Sequence, residues 1–169
     1  MAQNNKRPEC VLGFYQVVEQ PSGEMCGGVL ITSHLGRPIE FQCSLPVRPN
    51  ATQQTLYGPT LRPFLIGELI AKALKDRLQV LPDVLFVNQP EALNEQTWSS
   101  IPVLCSTESD EAMLQQDFRE EHYWIASKQE KDVTKILEKM TEYVPDSADL
   151  QEPLVRVEQA LKEAMGQVA

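Results

Sequence analysis

Three carboxylates, Glu40, Glu68 and Asp83, stand where the chain could bring them together, and such a cluster can hold divalent cations for phosphodiester hydrolysis. Each also has a plainer use. Asp83 opens an apolar run, Glu68 falls on the outer side of a helical stripe, and the first strand-like run, VLGFYQVV, contributes no acid. Nucleophilic catalysis needs a serine or cysteine beside a histidine that a third group orients. The chain offers His34, read as an exposed turn residue, and His122, read as packed against Tyr123 and Trp124. Cys105 closes the run IPVLC, where a thiol behaves as a small buried hydrophobe. Cys10, Cys26 and Cys43 add neither a CxxC pair nor a zinc-like histidine spacing, so all four cysteines read as buried free thiols.

Arg37, Arg48 and Arg62 are each followed by proline. Stiff backbone lowers the entropy lost in presenting such side chains, which makes them candidates for an anion or an acidic partner, with Tyr57 as an aromatic contact beside them. Gly27-Gly28 lacks the spacing of a phosphate loop and lies in a strand run, where paired glycines mark a bulge. No catalytic residue and no cofactor is implied.

The elements that must position these residues are read from periodicity. Cys10–Glu19 and Met25–Ser33 are rich in β-branched and aromatic residues and are separated by Gln20-Pro21-Ser22-Gly23, a hairpin. Pro38–Val47 alternates, with Ile39, Phe41, Cys43 and Leu45 on one face, and reads as a half-buried third strand. Pro46, Pro49, Pro59 and Pro63 end the meander in a stiff corner. A helical stripe follows from Arg62 to Leu78, and Gly67 inside it points to a close packing contact. Pro82–Asn88 and Ile101–Ser106 read as buried parallel strands joined by a short helix over Glu91–Trp98. Glu111–Phe118 reads as helix, His122–Ala126 as strand, and Lys131–Val144 and Pro153–Met165 as amphipathic helices.

This order predicts a single α/β or α+β domain with a mixed sheet over 1–144, a polar link over 145–152, and a C-terminal helix over 153–169 that packs on the core. A three-stranded meander followed by a helix and further strands is similar to the ribonuclease-H-like fold. That resemblance implies a metal-dependent phosphodiesterase or nuclease, with Glu40, Glu68 and Asp83 as its metal ligands, or a catalytically silent version because the first strand has no aspartate. Separately, GRPIEF…PVRP…LYGPTLRPFL, within residues 27–70, resembles conserved bacterial proteins from which no activity can be transferred.

Composition sets the remaining expectations. With 169 residues, 42% of them hydrophobic, the chain can bury a sizeable core, and no apolar run approaches the roughly 20 residues that span a bilayer, so it reads as cytoplasmic. The net charge is −9; residues 1–66 carry five basic and four acidic side chains, +1, which leaves −10 for the rest. A field of that sign repels phosphate backbones and argues against nucleic acid. The leading expectation is therefore a non-enzymatic interaction or accessory protein with a protein partner or self-association, and the hydrolase is the alternative.

Overall fold

The computed structural model describes residues 7–108 and 113–166. Two nine-residue apolar runs form β1 (Val11–Glu19) and β2 (Met25–Ser33), paired antiparallel from Val11↔Ser33 to Glu19↔Met25. Gly36, at φ 81°, makes the reversal into β3 (Pro38–Cys43). The third strand is shorter than its alternation suggests; beyond Cys43 its tail meets β2 through the Ser44 amide on the Gly27 carbonyl and the Val47–Met25 bridge. It is also more exposed: Ile39 and Phe41 stay open to solvent at the sheet edge.

No bulge forms at Gly27 and Gly28, since the β1–β2 register runs unbroken through both. These glycines instead admit helices to the two faces of the sheet. A side chain at Gly27 would strike Ile70, and one at Gly28 would meet Leu161 at 3.0 Å.

The proline corner holds a helix that periodicity did not reveal, α1 (Ala51–Tyr57). Asn50 caps it reciprocally: its Oδ1 accepts from the Gln53 amide at 2.8 Å, and Gln53 Oε1 accepts from the Asn50 amide at 2.9 Å. After a 3₁₀ turn at Gly58–Thr60 come α2 (Leu61–Phe64), a π-helical turn at Leu65–Leu69, and α3 (Ile70–Arg77), the continuous helix expected here. A π turn widens the helix and releases carbonyls from their usual partners. Here Ile66 O accepts from Tyr15 Oη at 2.6 Å, and Gly67 O accepts from Thr97 Oγ1 at 2.7 Å. Gly67 is required by close approach, because a Cβ there would lie 2.5 Å from the Glu91 carbonyl oxygen.

The chain then adds β4 (Val84–Val87) parallel to β1, a 3₁₀ turn at Pro90–Ala92, α4 (Glu95–Trp98) and β5 (Val103–Cys105) parallel to β4. Leu114–Phe118 is not helical as expected; it is β6, paired with β7 (Glu121–Ile125) in a hairpin whose turn holds Arg119 at φ 56°. Residues 111 and 112 of that expected helix lie outside the described residues. Two amphipathic helices complete the chain, α5 (Glu130–Tyr143) and α6 (Glu152–Ala164).

The seven strands stand in the order β3-β2-β1-β4-β5-β7-β6. One core cluster places Phe14, Leu30 and Phe86 under Val133 and Met140 of α5 and Val157 and Leu161 of α6. The other places Tyr15, Val29 and Val87 under Ile66, Ile70 and Leu74 of the long helix. Among the described residues, no helix is long and apolar enough to cross a membrane.

Candidate functional site

The strand order fixes where a site belongs. The meander extends the sheet to one side of β1, and the chain then returns to lay β4 and β5 on the other side. In open sheets of this kind the crevice outside the carboxyl ends of the strands, where the order reverses, is the natural ligand site. Here that point is the carboxyl ends of β1 and β4.

Two contacts define its geometry. Tyr15 is in register with Val87 at the last ladder position of β1 and β4. One pleat beyond, the Gln89 side chain continues the ladder: Oε1 accepts from the Val17 amide at 2.9 Å and Nε2 donates to the Val17 carbonyl at 3.0 Å. Between these fixed points Gln16 stands opposite Asn88. Both follow by two residues the Phe14–Phe86 ring stack, with centroids 5.4 Å apart, which floors this face. Gln16 Oε1 and Asn88 Oδ1 are both buried and make no hydrogen bond within the protein. At the rim, Arg62 donates to Glu19 at the end of β1 at 2.7 Å and sits 3.8 Å from Glu91 in the turn after β4.

The residues singled out in the sequence divide between the two ends of the sheet. Arg48 follows Val47, which bridges Met25 opposite Glu19, so Arg48 and Arg62 both belong to the carboxyl end of β1. Tyr57 stacks on Phe64 of α2, centroids 4.9 Å apart. Arg37 lies in the β2–β3 turn, beyond the Ser33 that pairs with Val11, and is therefore at the opposite end. The four do not form one surface.

The expected metal ligands do not converge either, and among the described residues no group of three His, Cys, Asp or Glu side chains could hold a metal ion. Glu40 accepts from the backbone amides of Gln79 (3.0 Å) and Val80 (2.9 Å). Burial pushes its carboxyl up, but hydrogen bonds from Gln42, Val80 and Gln79 outweigh this and hold it below the ordinary range. Asp83 accepts from the Val11 amide at 2.8 Å and pairs with Arg7 and Lys139 at the amino end of β4. Glu68 lines a groove of about 690 Å³ with Phe64, Lys72 and Lys75 on the far side of the sheet. In the crevice itself Gln16 and Asn88 are neutral amides. That donor set does not fit a pair of divalent cations, which calls for carboxylates, and no chemical step is routed through metal here.

The histidines also differ from expectation. His122 is exposed, with Nδ1 2.6 Å from Asp117 Oδ1, and this hydrogen bond raises the histidine and lowers the aspartate from their ordinary values. His34 is half-buried, its ring centroid 6.0 Å from that of Tyr143. Cys105 is buried, and desolvation pushes its thiol up to about 11.

No protein-family model matches the chain, and no curated protein matches its sequence. Solved structures do match its fold. Endonuclease V of Ciona intestinalis, in complex with a 23mer DNA containing an inosine followed by a ribo-adenosine, aligns with a TM-score of 0.52 at 10% identity, over 95% of this chain and 87% of that one. The fold is ribonuclease-H-like. Human ENDOV aligns at 0.47 and 10% identity over 94% and 85% of the two chains, and LC11-RNase H1 in complex with an RNA/DNA hybrid at 0.32 and 13% over 88% and 91%.

Two expectations are corrected by this likeness. A non-enzymatic accessory protein built for a protein partner or self-association rested on missing motifs and on arginines that turn out to be dispersed, whereas the fold is shared with an endonuclease in complex with DNA. The dismissal of nucleic acid rested on net charge, which averages over a surface and says little about one crevice.

Gln16 and Asn88 do not stand out in the sequence, because an amide fits no charge or metal motif. The available signal was that Gln16 interrupts an apolar strand and Asn88 closes one, polar side chains at core positions.

Proposed function

We propose that this chain is a nuclease-like protein of the ribonuclease-H-like fold that engages nucleic acid in the crevice at the carboxyl ends of β1 and β4. The observation that carries the reading is the pair Gln16 and Asn88, whose buried side-chain oxygens make no hydrogen bond within the protein, at the point where the strand order reverses. Arg62 and Arg48 give that end of the sheet cations for a phosphate backbone. The endonuclease aligned above is itself in complex with DNA, which supports nucleic acid as the ligand class. The described residues supply the grip on a strand; they do not supply the carboxylates of metal-assisted cleavage.

Fluorescence anisotropy with labelled single-stranded DNA, duplex DNA and an RNA/DNA hybrid at low salt tests the reading, with gel-resolved cleavage measured in parallel in magnesium and manganese. Saturable binding that weakens with salt is expected. No binding to any of the three at low salt would overturn the reading.

A further inference from the structure

Buried polar atoms in folded proteins nearly always have hydrogen-bond partners, so two buried acceptors without one, Gln16 Oε1 in β1 and Asn88 Oδ1 just past the end of the neighbouring β4, call for a donor from outside the chain. The site around them is built. The Phe14–Phe86 stack lies one pleat below, and Gly28, paired with Gln16 on its other side, is covered by Leu161. Val17 is locked to Gln89, so the spacing of β1 and the segment after β4 is fixed at this level. Carboxylates at these positions would suit cations, but amides are uncharged and offer acceptors that ask for N–H groups. Glutamine and asparagine are also the side chains whose geometry matches an amino-bearing base edge, and such edges are free in single strands.

We propose that Gln16 and Asn88 bind the amino edge of a nucleobase in a single strand. The proposal rests on the nucleic-acid reading above.

The test compares labelled oligo(dA), oligo(dC) and oligo(dT) by anisotropy in EDTA. Oligo(dA) and oligo(dC), whose bases carry an exocyclic amino group, are expected to bind at least tenfold more tightly than oligo(dT). Gln16→Leu with Asn88→Leu should erase that preference, so that oligo(dA) and oligo(dC) bind no more tightly than oligo(dT). The single variants Gln16→Met and Asn88→Leu should each lose part of it, which keeps the test decisive even if the double variant fails to fold. Equal binding of all three oligonucleotides, or a preference that survives the substitutions, would overturn the amide pair while leaving nucleic-acid binding intact. No binding by any oligonucleotide or duplex would instead remove the underlying reading, and this proposal with it. Thermal melting gives a second readout. The wild type should show no rise in Tm with magnesium or manganese, and Gln16→Glu with Asn88→Asp should gain one. A rise in the wild type that Gln16→Leu abolishes would make the pair a cation site and refute the proposal.

Discussion

The side chain of Gln89 acts as one more rung of the sheet, bonding both the amide and the carbonyl of Val17 where β1 has run past the end of β4. Without it, two backbone groups at the edge of the crevice lose their partners. Gln89→Ala is therefore expected to destabilise the fold by about 1–3 kcal/mol in urea unfolding. It should also weaken oligonucleotide binding, because the spacing of Gln16 and Asn88 is no longer held. An unchanged denaturation midpoint would mean that water replaces the amide at no loss.

Tyr15 and Gly67 anchor the π turn from opposite sides. Tyr15→Phe leaves the Ile66 carbonyl without the hydroxyl that donates to it, at a loss of about 1–3 kcal/mol. Gly67→Ala drives a methyl group into the Glu91 backbone, which cannot move aside like a flexible side chain, and should destabilise by about 1–3 kcal/mol. Urea denaturation of both variants checks these values.

Much of this frame was legible in the sequence, and the exceptions have physical causes. β1, β2 and β4 were visible because each is an apolar run closed by turn residues, and the long helix because its stripe persists from Leu61 to Leu74. β6 reads as helix in the sequence because Leu114 and Phe118 are four apart, the spacing of a helical face, and its turn uses Arg119 where a glycine would signal a hairpin. The helix α1 was hidden by flanking prolines, although Asn50 and Gln53 stood at capping-box spacing. The crevice was not legible, because the meeting of Gln16 and Asn88 depends on the parallel pairing of β1 with β4 across some seventy residues of chain.

Arg62 separates electrostatic from structural roles. Its pairs with Glu19 and Glu91 are half exposed, so Arg62→Ala should change stability by less than about 1 kcal/mol. If Arg48 and Arg62 are the two phosphate contacts, the logarithm of single-strand affinity should fall with the logarithm of salt at a slope near about −1.4, and Arg62→Ala should flatten it by about 0.7. Salt-titrated anisotropy measures both. A slope unaffected by the substitution would place the backbone elsewhere.

The Asp117–His122 pair gives a pH signature independent of the crevice. Its hydrogen bond raises His122 above 6.5 and lowers Asp117 below 3.8. The raised histidine contributes stability that is fully present below 6.5 and is lost as pH climbs through the higher folded value. The lowered aspartate contributes stability that is present above 3.8 and is lost as pH falls through the lower folded value. NMR titration should find His122 above 6.5, and Asp117→Asn should bring it back toward that value. A His122 already at 6.5 in the wild type would show that the pair does not persist in solution.

The thiols test whether any cysteine is poised as a nucleophile. Burial pushes Cys105, and burial with the Asp83 charge pushes Cys10, from 9.0 to about 11, which lowers their thiolate fraction about a hundredfold. Both should react far more slowly with a disulfide reagent in the native protein than in urea, and half-buried Cys43 should react first. Rapid native labelling of Cys105 would reopen nucleophilic catalysis.

The most direct measurement is the amide spectrum of isotope-labelled protein titrated with a single-stranded oligonucleotide. Binding in the crevice should shift the side-chain amide signals of Gln16 and Asn88 and the backbone signals of Val17, Glu19, Gln89 and Glu91, while Ser33 to Arg37, at the opposite end of β1, stay in place. Shifts confined to that opposite end, or no shifts at saturating oligonucleotide, would contradict a nucleic-acid site at the carboxyl ends of β1 and β4.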